Sequence, residues 1–404
     1  MATPFLRSLR ELYPDAHIAA LCSRLALPVI TGLACVDEAI EYILRPDLRI
    51  SIRATVGILA GKKFDLAVLL PNSFRSALIA WRASIPRRLG YRRECRGVLL
   101  TDGLDPEIRT DSEISLQLAR KRVRNLIAAN QIVSDARLLA HGAGWQIVEP
   151  GKPVRPLSPS TWRKNLAKQG NFQPVPTIDY YLALTERLGG KIDCKKMFLG
   201  MTEAERSEAQ KALQSLHIDV ADPYLLIFPG ANFGSSKCWM PERFAEIASH
   251  VADPKGDFRA HVLIGAAPNE KSLVDAIFTA LPSDFNASAK RYRIQRLSAA
   301  AEGRGVSLGA IKELVRRSRL VLCNDTGPRH FAAALNTPLV TLFGPTDPRW
   351  AETFYKGERI LSIEVPCGPC QLKRCPIDHR CMRGLTTQMV LEAMRQQWSL
   401  GSAS

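Results

Sequence analysis

Lys237, Glu270, Asp325, Thr326 and His330 are the side chains whose types and spacing suit a phosphorylated ligand. The densest group is Asn324-Asp325-Thr326-Gly327. It stands between an apolar run, Leu320 to Cys323, and a helix-like segment with Pro328 near its first turn. A helix N-terminus has free N–H groups and a partial positive charge, so it suits a phosphate. Thr326 adds a hydroxyl there, and Gly327 lets a ligand approach the backbone. His330, one turn in, could donate to a phosphate oxygen. Asp325, at a strand's carboxyl end, could instead hold a sugar hydroxyl. The plainer alternative is that Asp325 or Thr326 only caps the helix.

The elements that would position these residues repeat in the order strand, loop, helix. Tyr224 to Phe228 reads as a buried strand, followed by the loop Pro229 to Gly234 and a helix from Pro241 to Val251. Ala260 to Ile264 is a second strand, Ser307 to Arg317 a helix, and Leu339 to Phe343 another strand. This order predicts a parallel sheet with helices on both faces. Polar or glycine-containing turns then fall at Gly230 to Lys237, Gly265 to Glu270, Asn324 to His330 and Gly344 to Asp347. In a parallel sheet those turns line one edge, and their convergence points to a nucleotide-type site. Lys237 would supply positive charge for a diphosphate. Glu270 would accept from ribose hydroxyls. A solvent-facing lysine and an ordinary first-turn glutamate are the bland readings of those two.

The N-terminal half gives the same α/β signal less cleanly. The chain begins with an amphipathic helix, Pro4 to Tyr13, and the strand that would ordinarily feed it is missing. Phe64 to Leu70 is a buried strand. The Asn72-Ser73 turn follows it, with Arg75 just beyond, and places a helix start at a strand's carboxyl end, where ligands of open α/β sheets bind. Residues 101–172 read as a surface insertion with a basic helical run, Glu113 to Asn130. The expected division is 1–215 and 216–404. The second part holds a Cys-rich segment, 367–381, and a terminal helix, 386–398.

At 404 residues the chain is long enough for two domains, each with its own core. A hydrophobic content of 46% is ordinary for a globular protein. No apolar run reaches the roughly 18–20 residues that span a bilayer, and no secretory leader is seen, so a cytoplasmic protein is expected. The net charge of +16 predicts an anionic partner, although many such charges are simply solvated. A nucleic-acid-binding module is not recognisable, so no specific nucleic acid is expected. An anionic membrane face remains as the macromolecular partner. Cys367, Cys370, Cys375 and Cys381 could ligate zinc, but only the first pair has familiar spacing. A reduced or partly disulfide-linked surface loop is the other reading.

Three stretches carry a resemblance: FPGANFGSSKCWMPERFAEIA (Phe228 to Ala248), CNDTGPRHFAAALNTPLVTLFGPTDP (Cys323 to Pro348) and LPNSFRSALIAWRASIPRRLGYR (Leu70 to Arg92). In this order they resemble glycosyltransferase family 9, in its lipopolysaccharide heptosyltransferase branch. The resemblance spans roughly 1–100 and 174–395. It implies a GT-B fold, two Rossmann-like domains facing a cleft, with the acceptor on the N-terminal side at Asn72, Ser73 and Arg75 and the terminal helix, 386–398, returning to the N-terminal domain. It implies inverting transfer of heptose from ADP-L-glycero-D-manno-heptose to a Kdo–lipid A inner core that carries one heptose, with no metal and no cofactor. Carried over by motif, the donor contacts are Asn232, Phe233, Lys237, Glu270, Val306, Asp325, Thr326, Gly327 and His330. Lys237 would neutralise charge on the leaving ADP. The family's candidate base is an Asp in a Gly-Asp turn after the first strand, and the first ten residues contain no counterpart. Either the start site lies upstream of Met1, which is the favoured expectation, or the base is lost, and the second case motivates another reading, an inactive sugar-nucleotide-binding scaffold. Pro328-Arg329 also departs from the more apolar pair usual before the histidine, and Asn232-Phe233 replaces small hydroxyl residues.

Overall fold

The computed structural model describes residues 1–43, 48–105, 137–141, 144–148, 175–219, 221–282, 291–300, 303, 305–365 and 367–400. It divides into two compact units, 1–109 with 175–202, and 110–174 with 203–404. The expected run Glu113 to Asn130 and the stretch Pro150 to Ser160 lie outside the described residues. Within 101–172, Arg137–His141 and Gly144–Val148 form an antiparallel pair.

In the first unit the order is α1 (Thr3–Leu12), β1 (Ala19–Cys22), α2 (Leu27–Ile30), β2 (Glu38–Glu41), α3 (Leu48–Lys62), β3 (Leu66–Leu69), α4 (Phe74–Arg82), β4 (Arg87–Tyr91) and β5 (Asp102–Leu104). The pair Arg137–His141 and Gly144–Val148 follows as β6 and β7, and α5 (Thr177–Arg187) rejoins this unit. Strands β1 and β2 pair in parallel, and β3, β4 and β5 form a separate parallel sheet. The helix α1 puts Phe5 and Leu6 inward, as its amphipathic spacing requires. Its Pro4 fits the first turn, where a missing N–H costs nothing.

The second unit runs α6 (Glu203–Ser215), β8 (Tyr224–Phe228), α7 (Pro241–Val251), β9 (His261–Ile264), α8 (Lys271–Thr279), β10 (Ile294–Arg296), α9 (Leu308–Arg317), β11 (Leu320–Asn324), α10 (Gly327–Leu335), β12 (Leu339–Phe343), β13 (Glu358–Ser362), α11 (Arg380–Arg383) and α12 (Thr387–Leu400). Its six strands form one sheet in the order β10-β9-β8-β11-β12-β13, every pair parallel. In chain order that is third, second, first, fourth, fifth, sixth. The direction of progression reverses between β8 and β11, and a crevice opens at such a reversal. Strands β8, β11 and β12 are buried along their whole length, which is why they read as unbroken apolar runs.

One expectation about domain limits changes. The helix α6, expected in the N-terminal domain, packs against α9 in the second unit, so the break falls between 202 and 203. Its Ala209, Ala212 and Leu213 share a core with Leu314 and Val315. The terminal helix packs on the second unit's own sheet. Val390, Leu391, Ala393 and Met394 bury against the second unit's own sheet, beside α7 and β12. Burial of Val390, Leu391 and Met394 stabilises by roughly 1.5–3 kcal/mol per side chain. Among the described residues no helix is long and apolar enough to cross a membrane.

Candidate functional site

The turns after β8, β9, β11 and β12 meet at one edge of the second unit's sheet. Asn324, the last residue of β11, is fully buried and ties the turn after β8 to its own strand. Its Nδ2 donates to the Pro229 carbonyl, and its Oδ1 accepts from the Trp239 backbone N–H at 3.3 Å. The loop from 229 to 239 is therefore pinned at both ends to the adjacent strand. A buried amide is tolerated only because both ends find partners.

Between those pins the loop delivers Lys237. Its ammonium forms an ion pair with Asp325 Oδ2 and lies 3.4 Å from the Asp325 carbonyl. It also sits 4.8 Å from the centre of the Phe233 ring, a cation–π distance. The side chains of Lys237 and Asp325 are 12% and 8% exposed, so the pair is screened little by water. Thr346, from the turn after β12, donates its hydroxyl to the same Asp325 oxygen at 2.9 Å. Three turns thus converge on one carboxylate.

The fourth turn joins through Glu270. Its carboxylate lies directly over Gly230, where a Cβ would fall 2.1 Å from it, so a side chain at 230 would push the carboxylate away. Glu270 Oε2 accepts from the Ala267 N–H at 3.0 Å. Burial raises its pKa, while backbone N–H groups of Ala267 and Ala231 pull the other way. The bond from Ala267 is the reach-back bond of a capping box, the ordinary role of a first-turn glutamate, and the same carboxylate also lies across the loop at Gly230.

The start of α10 behaves as an unfilled cap. Thr326 is the N-cap residue, yet its hydroxyl makes no capping bond, and Asp325 is committed to Lys237 and Thr346. The capping alternative is thereby removed for both. Gly327 has open space where a Cβ would stand. His330 is half-buried, and its Nδ1 is sealed from solvent with no hydrogen-bond partner among the described residues. Burial, with the nearby Arg329 and Lys237 charges, holds its pKa well below the ordinary imidazole value. The ring is neutral near pH 7.

Several working residues were not singled out from sequence. Arg329, fully buried, donates Nη2 to Glu358 Oε2 at 3.0 Å, Nη1 to the Ala351 carbonyl at 2.6 Å, and Nε to Glu358 Oε1. Thr341 and Thr353 donate to the same Glu358 carboxylate at 2.6 and 2.7 Å. Arg329 Nη1 is also 3.9 Å from Asp325 Oδ1, so Asp325 lies between two cations. The departure Pro328-Arg329 is thus compensated within the fold by Glu358 and two threonines.

The Cys-rich segment has a mechanical part. The Lys373 carbonyl accepts from the Ser236 N–H at 3.2 Å, the Leu372 carbonyl from the Ser236 hydroxyl, and His379 Nε2 lies 2.7 Å from the Ser236 carbonyl. The segment clamps the residue before Lys237. Cys367, Cys370 and Cys375 pack with Val365 and Ile377, and all four cysteines are free thiols. Burial pushes Cys370 up to about 12 and Cys375 to about 11, so both are neutral. Among the described residues, no group of three or more His, Cys, Asp or Glu side chains is arranged to hold a metal.

Of the other expected residues, Asn232 is exposed on the loop, and Val306 packs at the margin of the second unit's core. In the first unit Ser73 caps α4, accepting from the Ser76 N–H at 3.3 Å. Asn72 Oδ1 is taken up internally by Tyr180 Oη at 3.0 Å and Arg96 Nη2 at 3.3 Å. Arg75 lies 5.4 Å from the Tyr42 ring centre.

The sequence profile of glycosyltransferase family 9 (heptosyltransferase) matches residues 52–132 and 163–380, more than half of the chain. The chain belongs to glycosyltransferase family 9. It is a glycosyltransferase by that membership. Lipopolysaccharide heptosyltransferase 2 of Escherichia coli is 26% identical over 365 residues, covering 90% of this chain and 84% of that one. Lipooligosaccharide heptosyltransferase 2 of Haemophilus influenzae is 23% identical over 351 residues, with 87% and 81% covered. Among solved structures, E. coli ADP-heptose LPS heptosyltransferase II superposes with a TM-score of 0.67 at 22% identity, covering 100% and 95% of the two chains. A family 9 glycosyltransferase from Veillonella parvula gives 0.67 at 18%, covering 98% and 92%. The fold is that of the GT-B-type family 9 enzymes.

Proposed function

We propose that this family 9 enzyme transfers heptose from ADP-L-glycero-D-manno-heptose to a lipopolysaccharide inner core, a Kdo–lipid A already bearing one heptose. The carrying observation is the convergence of Lys237, Asp325, Thr346 and Glu270 at the reversal of the second unit's sheet. The relatives named above are heptosyltransferases, which supports the same donor sugar and acceptor class here.

In this reading the diphosphate lies against the open N-terminus of α10, on the free N–H groups around Thr326 and Gly327. Glu270 and Asp325 accept from sugar hydroxyls. The acceptor hydroxyl attacks the anomeric carbon from the face opposite the diphosphate. The new C–O bond forms as the bond to ADP breaks, the anomeric centre inverts, and the hydroxyl proton passes to a base. Negative charge grows on the departing ADP, where Lys237 opposes it in a poorly screened site. Asp325 fixes Lys237 beforehand, so little reorganisation accompanies the reaction.

The test is direct. Incubation with ADP-heptose and the mono-heptosylated acceptor should release ADP and add one heptose to the acceptor by mass spectrometry. Hydrolysis of the donor with no mass gain on the acceptor, or ADP binding without turnover as expected of an inactive scaffold, would refute this reading.

A further inference from the structure

Just beyond the carboxyl end of β3, separate parts of the first unit converge on one amide oxygen. Asn72 Oδ1 accepts from Arg96 Nη2 at 3.3 Å and from the Tyr180 hydroxyl at 3.0 Å. Arg96 opens the short turn Arg96–Leu99 and is fully buried. Its Nε donates to the Tyr91 carbonyl at 2.8 Å, and its Nη1 to the Pro71 carbonyl and, at 3.2 Å, to Ser76 Oγ. A Cβ at Gly90 would stand 3.1 Å from Arg96 Nη2, so the glycine leaves the guanidinium its room. Tyr180, on α5, stacks on Tyr91 of β4 with ring centres 3.8 Å apart, and the Tyr91 hydroxyl donates to the Tyr180 carbonyl at 2.7 Å. Arg93 hydrogen-bonds the Tyr180 hydroxyl in turn.

Arg96 forms no ion pair among the described residues, and all its acceptors are neutral. Glu94, whose charge it feels, is exposed and makes no ion pair with it. A guanidinium sealed from water without a carboxylate beside it is a destabilising choice if its task is only to pin a turn. What the arrangement achieves is the orientation of an amide. Arginine has donors only, and the Tyr180 hydroxyl gives its proton here, so the side of Asn72 that meets them is the oxygen. Nδ2 therefore faces away from both, at the strand end where ligands of open α/β sheets bind. No described residue accepts from Nδ2, and Asn72 is only half-buried. Two cations feed the amide oxygen, one directly and one through Tyr180, which polarises the amide and strengthens its N–H donors.

We propose that Asn72 Nδ2 donates to an oxygen of the acceptor sugar, and that Arg96 and Tyr180 are the positioning residues that fix its amide for that bond. The proposal rests on the transfer reaction above and names how its acceptor is recognised.

The experiment titrates the deacylated, mono-heptosylated acceptor into the ADP-loaded full chain by calorimetry, which reads binding without turnover, and then measures KM and kcat. Asn72→Asp keeps the shape of the side chain but offers no donor. Its carboxylate should pair with Arg96, so its melting temperature should equal or exceed that of wild type while acceptor affinity falls at least about tenfold. A role confined to holding the turn would leave affinity unchanged in this variant. Tyr180→Phe and Arg96→Lys should each weaken acceptor binding about threefold, chiefly in KM, and neither should weaken it further in an Asn72→Ala background. Wild-type-like melting curves and unchanged ADP affinity set a folding defect apart. Wild-type acceptor affinity in Asn72→Asp overturns the proposal. So does full additivity of Tyr180→Phe with Asn72→Ala, or a wild type that binds no acceptor. Acceptor binding with the expected variant pattern but no heptose transfer overturns the transfer reaction alone and supports this assignment.

Discussion

Lys237 and Asp325 lie 88 residues apart in sequence and form an ion pair across the reversal of the second unit's sheet. The contact closes the gap between the turns after β8 and β11, which are the two turns flanking the expected ligand crevice. A buried pair of this kind is seldom a net source of stability, because desolvation offsets much of the attraction. Its value is positional: it holds a cation ready for a leaving diphosphate.

If that cation acts on the departing ADP, Lys237→Met should lower kcat by about 10²–10³-fold, the range seen when one preorganised charge-stabilising donor is removed. Steady-state kinetics with ADP-heptose would measure it. Asp325→Asn should also lower kcat, since the amide keeps a hydrogen-bond acceptor but no longer fixes the ammonium.

Glu270 gives a pH test with a definite sign. Its folded-state pKa is raised, chiefly by burial. The protonated form is therefore favoured by folding, and stability is lost as pH rises through the carboxyl range. Glu270→Gln should be at least as stable as wild type at pH 7.5, with the difference shrinking below about pH 4.3. The same variant should bind ADP-heptose more weakly. Thermal melts at the two pH values, with donor titrations, check both halves.

His330 should respond in the other direction. Its pKa is depressed by burial and by Arg329 and Lys237. Stability from the neutral ring is present above the unfolded value of about 6.5 and lost as pH falls. His330→Gln should flatten that acid-side loss. A bound diphosphate would favour the imidazolium, so ADP affinity should rise on going from pH 7.5 to 6, with proton uptake. Calorimetry in two buffers of different ionisation enthalpy would reveal the uptake.

Arg329 and Glu358 test how the helix carrying His330 is held. Arg329→Met alone leaves a buried carboxylate facing two threonines and should cost about 3–5 kcal/mol in urea unfolding. The double variant Arg329→Met/Glu358→Met should recover much of that loss, because neither charge is then stranded.

The parts legible in sequence were those governed by local pattern. Apolar runs marked β8, β9, β11 and β12, and the polar turns after them hold Lys237, Glu270 and Asp325. Ser73 and Ser307 are helix caps with the acceptor geometry their positions suggest. What was not legible depends on pairing at a distance. Glu358 lies 29 residues from Arg329, and nothing near either one names the other. Thr346 was visible only as a member of a turn, and Lys373 and His379 only as neighbours of cysteines. The terminal helix has an ordinary amphipathic pattern, and such a pattern states that a face is buried without stating against which sheet.

The central claim is that loops at one rim of the second unit jointly grip a nucleoside diphosphate. Titration of ADP by isothermal calorimetry into wild type, Lys237→Ala and Asp325→Ala tests it most directly. The account predicts saturable binding to wild type, with affinity lowered at least about tenfold, roughly 1.4 kcal/mol, in each variant. Equal ADP affinity in all three proteins would contradict it.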